Sequence, residues 1–241
     1  MTTLGTTRTI GQLVAERPER GRLFEQLGID YCCGGGKTLD EACAKRGLSL
    51  ENVRAQLEAI DATPVVASGP DWNTAPLSQL ADHIETTHHA FVRTELPRVR
   101  ALVRKVAAAH GDRCPEMIEL DQTFAAFERE LAEHMVKEET ILFPWIRSLE
   151  SGTARPPLPG MSIDRPVACL MHEHDDAGEA LAKMSRLTNG FSPPLDACGT
   201  WRVMLSALKG IETDMHVHVH KENSILFPRA VALEASHHPR A

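Results

Sequence analysis

His134 and Glu138 stand four residues apart in HMVKEETILFPWI, and His218 and Glu222 repeat that spacing 84 positions later in HVHKENSILFPRA. On a helix, side chains at i and i+4 are neighbours, about 5 to 6 Å apart at Cβ, so an imidazole and a carboxylate so placed can reach one metal ion. Imidazole is the commonest protein metal ligand, and twelve histidines are present. The chemistry on offer is therefore that of two cation-binding pairs built from nitrogen and oxygen donors without thiolate, a set that suits iron or manganese more than structural zinc.

Register decides whether these pairs face a core. Leu120, Phe124, Phe127, Leu131, His134, Glu138, Ile141 and Trp145 follow one another at steps of three and four, as do Met204, Leu208, Ile211, Met215, His218, Glu222 and Ile225. Both series keep to one helical face, so each His-Glu pair takes positions that leucine would otherwise fill. A lone pair of this kind is ordinarily a hydrogen-bonded core pair. Two carboxylates and two imidazoles in one interior are costly unless a cation neutralises them, and repetition in register favours two metals. His174 joins the set, aligned with Val167, Leu170 and Leu181. The same test turns His216 and His220 away from His218 and His172 away from His174, at about 100° per residue, and they are expected to be exposed; His237 and His238 fall in a polar tail. One further region offers His83, His88 and His89, and the apolar stripe Leu77, Ala81, Ile84, Phe91, Val92 and Val99 centres better on His88, while an offset of 84 from His174 falls nearest His89.

The elements needed to carry these residues are four long amphipathic helices, expected from about Ala75 to His110 with a kink at Pro97, Pro115 to Ser148, Asp164 to Asn189, and Leu195 to Glu234. Turn-rich breaks such as SGTARPPLPG and GFSPP separate them, and the fold class expected is all-α, a four-helix bundle at 76–235. Ahead of it, DATPVVASGPDWNTA carries no helical period and reads as a linker at 63–75. Residues 1–62 form a small N-terminal unit of short helices in TIGQLVAERP, ERGRLFEQLG, TLDEACAKRG and LSLENVRAQLEAI.

That unit also holds DYCCGGGKT. Adjacent Cys32 and Cys33 cannot wrap a tetrahedral metal and would close only a strained disulfide, while the glycines after them leave the backbone free to present the thiols; a redox or iron-handling role follows. Cys43, Cys114, Cys169 and Cys198 have no such setting and are expected to be packing residues. A net charge of -7 argues against a nucleic-acid or anionic-membrane surface. No export signal and no membrane-length apolar run are found, so the expectation is a cytoplasmic chain with reduced thiols.

The order single His, His-x-x-x-Glu, single His, His-x-x-x-Glu, with MHEHDDAG around His174 and KEETILFP and KENSILFP after the pairs, resembles the hemerythrin-like domain of the repair of iron centres family. DYCCGGGKTLDEAC resembles that family's N-terminal domain, so the likeness covers nearly the whole chain. It implies a non-haem di-iron centre, oxo- or hydroxo-bridged, held by four His and two bridging Glu. Matched position by position, HHAFVRTELP gives His89, and the rest are His134, Glu138, His174, His218 and Glu222. It also implies access-path carboxylates at Glu130 and Glu173, and one departure: His88 stands where the family commonly has Tyr. The activity implied is repair of iron-sulfur clusters damaged by oxidative or nitrosative stress, by iron supply to the damaged protein, in which Cys32 and Cys33 would take part. With fewer protein ligands than the six an octahedral iron prefers, such a site can also bind O2 or NO, which opens NO reduction or sensing as rival roles. A homodimer is compatible with the sequence.

Overall fold

The computed structural model describes residues 8–63, 69–153 and 161–237. Among them the only β feature is an isolated bridge between Thr9 and Thr38; everything else regular is helical. The expected linker residues 64–68, the break residues 154–160 and His238 lie outside the described residues. The chain divides into two compact units, Met1–Leu80 with His216–Ala241, and Ala81–Met215.

The first unit begins with four short helices, α1 (Ile10–Glu16), α2 (Arg20–Gln26), α3 (Leu39–Arg46) and α4 (Leu50–Asp61). Thr9 and Thr38 start α1 and α3 with reciprocal capping boxes to Gln12 and Glu41, satisfying amides that the first turn leaves open. Short helices are marginal alone, and these are held by a shared core of Ile10, Leu13, Phe24, Cys43, Val53 and Leu57. The last part of the chain belongs to the same unit: α1 packs on residues Glu222–Leu226, Asn73 donates to the Ala15 carbonyl at 2.6 Å, and Arg229 donates to the carbonyls of Trp72 and Ala75.

The long helices follow in the expected order: α5 (Leu77–His83), α6 (Ala90–His110), α7 (Glu116–Lys137), α8 (Phe143–Glu150), α9 (Asp164–Leu187), α10 (Gly199–Lys221) and α11 (Phe227–His237). In the second unit α6 packs on α7 and α7 on α9, and the Gly199–Met215 part of α10 makes the fourth segment. Each long helix buries one stripe, such as Leu120, Phe124, Phe127 and Leu131 on α7.

What the periodicity does not reveal is a widened turn in three of the four long segments. π-Helical turns occupy Ile84–His89, Glu138–Leu142 and Glu222–Leu226. The amides of Ala90, Phe143 and Phe227 each reach back five residues, to Glu85, Glu138 and Glu222. A π turn adds about one residue, so every side chain beyond it rotates by about 100° relative to a regular helix. Ile141, expected in the core, is consequently 44% exposed, and Leu142 is buried in its place. Pro144 and Pro228, which lack an amide donor, come directly after these turns and do not end their helices. Likewise α6 runs unbroken through Pro97; the irregular turn comes before it rather than at the proline where a kink was expected.

Candidate metal centre

The turn at Ile84–His89 governs which histidine enters the core. With one extra residue after Ile84, the stripe continues at His89 and then at Val92, Leu96, Val99, Val103 and Val106, all buried. His88 is buried too but turns elsewhere, its Nδ1 lying 2.8 Å from Asp214 Oδ1.

His89, His134, Glu138 and His174 converge in the second unit, all of them buried. The His89 ring stacks on Phe143 at 5.8 Å between centroids, and its Nδ1 lies 2.6 Å from Glu139 Oε1. His134 Nδ1 lies 2.9 Å from Glu173 Oε2. An ionised carboxylate can only accept, so both imidazoles donate Nδ1–H, and in the neutral ring Nε2 then carries the lone pair. Those two lone pairs meet at one place: Glu138 Oε2 is 3.3 Å from His89 Nε2 and 3.3 Å from His134 Nε2. His174 Nε2 stands 3.0 Å from His134 Nε2. Converging acceptors repel one another, and a cation turns that repulsion into coordination. The spacing suits one, since His134 Nε2 stands 3.0 Å from His174 Nε2 and 3.3 Å from Glu138 Oε2, inside the roughly 4.2 Å that donors about 2.1 Å from a shared metal can span.

In the first unit, His218 Nε2 and Glu222 Oε1 are 3.1 Å apart and both residues are fully buried. The donor pair is the same as His134 and Glu138. The residue after the glutamate is the difference between the repeats: Glu139 bonds an imidazole, whereas Asn223 donates to the Cys32 carbonyl at 3.4 Å. Reading KEET against KENS holds that signal, but nothing in the spacing assigns either partner.

Both acidic second partners are themselves gripped by cations. Glu139 accepts from Arg93, and Glu173 accepts from Lys137 Nζ at 2.5 Å. Burial pushes each carboxyl up, yet the hydrogen bonds from the cation and the imidazole override it and hold both below the ordinary carboxylate range. Glu173 also borders a cavity of about 130 Å³ whose lining includes Glu130, Glu133, His134, His174 and Asp176. Glu130 is exposed at that cavity, with Arg129 3.0 Å away.

Cys32 and Cys33 sit in the first unit with their sulfurs 3.9 Å apart. The Asp30 carboxylate organises the loop, accepting the amides of Cys32, Cys33 and Gly34 at 2.9 to 3.1 Å and the Cys32 thiol at 3.2 Å. The hydrogen bond with Cys33, burial and the nearby Asp30 charge push the Cys32 thiol well above its ordinary value. The Tyr31 ring lies edge-on to His220 at 5.4 Å and to His216 at 6.2 Å. His220 is accordingly buried and His216 half-buried, not exposed as their helical angle suggested, because that face of α10 carries Tyr31; burial pushes the His220 imidazole down to about 4. Among the remaining cysteines Cys43 is buried, but Cys169 and Cys198 are exposed, so packing does not account for those two.

Known proteins resemble the chain in both of its parts. Residues 80–230 match the hemerythrin HHE cation binding domain, and residues 6–61 match a domain of unknown function, DUF542. The chain is 38% identical over 226 residues to the iron-sulfur cluster repair protein YtfE of Pectobacterium atrosepticum, covering 93% of this chain and 96% of that one. It is 36% identical over 230 residues to the protein of that name from Musicola paradisiaca, covering 95% and 98%, and 36% identical over 227 residues to that from Escherichia coli O157:H7, covering 93% and 97%. With both domains matched and the likeness running nearly end to end, the chain belongs to the hemerythrin-domain family of iron-sulfur cluster repair proteins, the repair of iron centres family.

Proposed function

We propose that this chain repairs damaged iron-sulfur clusters by supplying iron from a non-haem di-iron centre held by His89, His134, Glu138, His174, His218 and Glu222. The observation that carries the reading is the convergence of two carboxylate-held imidazoles on buried Glu138, an arrangement whose lone pairs call for a cation. The hemerythrin domain match spans all six residues, which supports assigning both His-Glu pairs to one centre with bridging carboxylates. The domain division proposed is 1–62, 63–75 and 76–235, in keeping with the two matched regions.

Bound iron supplies the cargo and a redox-active centre with positions open to O2 or NO. The chain's own residues bind and release it. Glu139 and Glu173 hold Nδ1–H on His89 and His134 and so keep Nε2 available without proton loss. Glu130, Glu133, Glu173 and Asp176 give the cavity beside His134 a predominantly acidic wall, through which a ferrous ion travels more readily than an anion. Cys32, with Cys33 beside it, is proposed to meet the iron or the client as a neutral thiol.

Protein purified from iron-rich medium is expected to carry two irons with a Mössbauer signature of a coupled pair, and to restore activity to a dehydratase whose cluster has been damaged by peroxide or NO. His134→Ala and Glu222→Ala should lose most of the iron and the repair. Two irons without repair, together with N2O production over many turnovers, would instead favour an NO-reducing enzyme.

A further inference from the structure

We propose that Glu139, gripped by Arg93, is the positioning residue for His89, fixing both its tautomer and its ring direction for metal. Resting on the di-iron reading above, the proposal concerns a residue outside the six-ligand set. Three contacts converge on one imidazole: Glu139 Oε1 at 2.6 Å from Nδ1, Phe143 stacked on the ring face, and Glu138 Oε2 at 3.3 Å from Nε2. Glu138, Glu139 and Phe143 belong to the widened turn or its first following residue, so one local structure builds the whole seat of His89. In a regular helix Glu138 and Glu139 point about 100° apart, and here the two adjacent carboxylates take opposite nitrogens of the same ring.

The chemistry explains why the seat matters. Free neutral imidazole favours the Nε2–H form, which would present a proton to Glu138 and to a metal. Accepting Nδ1–H, Glu139 selects the other tautomer, and Arg93 orients Glu139 from outside. His134 has the parallel set in Glu173 and Lys137, but those groups border the cavity while Glu139 and Arg93 are not among its lining residues. The two imidazoles are thus seated by matching carboxylate-cation pairs, of which only one stands beside the path for iron.

The test compares the full-length protein with Glu139→Ala and Glu139→Gln, reading the His89 tautomer in metal-free protein by nitrogen-15 long-range correlation spectra, assigned through His89→Asn. The wild type and Glu139→Gln, whose amide oxygen still accepts, are expected to hold Nδ1–H. Glu139→Ala should move to Nε2–H and lose about 10- to 100-fold in affinity for one of two ferrous ions in chelator competition. An unchanged tautomer or an unchanged affinity in Glu139→Ala overturns the proposal, as does Nε2–H in the wild type, which is decisive even if the alanine variant does not fold. Wild-type protein that binds no iron but keeps Nδ1–H would defeat the di-iron reading and leave the seating of His89 standing.

Discussion

Cys32 is kept as a thiol by its surroundings. Its partners are Cys33, a carboxylate and the protein interior, none of which stabilises a thiolate, and alkylation requires the thiolate. Iodoacetamide labelling followed by peptide mass analysis is expected to find buried Cys32 slower than exposed Cys169 and Cys198 near pH 7.5. Because its value is raised, the Cys32 rate should climb with pH through and beyond the ordinary thiol value of 9.0; equal rates for the three at neutral pH would disprove the assignment. The pair Cys32-Cys33 was legible as a feature, but its protonation was not, since Asp30 acts through the folded loop. The same contrast holds at the candidate metal donors. His134, Glu138, His174, His218 and Glu222 stand out by register, whereas Glu139 and Arg93 are ordinary surface letters until folding brings them to His89.

A helix drawn with 3.6 residues per turn gives the long segments nearly their observed limits and puts Trp145 and Ile225 in the core, yet it misplaces Ile141. Ile141 and Leu142 measure the error. Ile141→Lys is expected to change stability by no more than about 0.5 kcal/mol in urea unfolding, whereas Leu142→Ala should cost about 2 to 5 kcal/mol. The reverse ranking would restore the regular helix. The ambiguity between His88 and His89 has the same origin: apolar spacing before Ile84 and after His89 is regular, and the two stretches differ by one residue of phase. The donors and prolines at these turns were visible in the sequence, but a π turn has no periodic signature of its own.

At the scale of the whole molecule, the N-terminal helices and residues from His216 onward share one compact unit. That packing has no pattern in the sequence, because it rests on single contacts such as Asn223 to the Cys32 carbonyl and Gly11 against Ser224. The glycine run shows how tight it is. A Cβ at Gly35 would stand 2.5 Å from the Tyr31 carbonyl oxygen and 3.3 Å from Gly11 Cα, while one at Gly36 would meet nothing within 4 Å. Gly35→Ala is therefore expected to speed amide hydrogen exchange in Glu222–Leu226, where α1 packs, and Gly36→Ala to leave it unchanged. Matching exchange in the two variants would mean that the loop does not brace this segment. Among the described residues no helix is long and apolar enough to cross a membrane.

The extra residue in Glu138–Leu142 also makes the seat of His89 easy to lose. Removing Ile141 alone, a side chain the interior does not use, would bring Leu142 to the third place after Glu138 and let an ordinary helix close over the gap. One lost codon could thus leave a well-packed bundle with all six donors in place, in which no widened turn delivers Glu139 to His89.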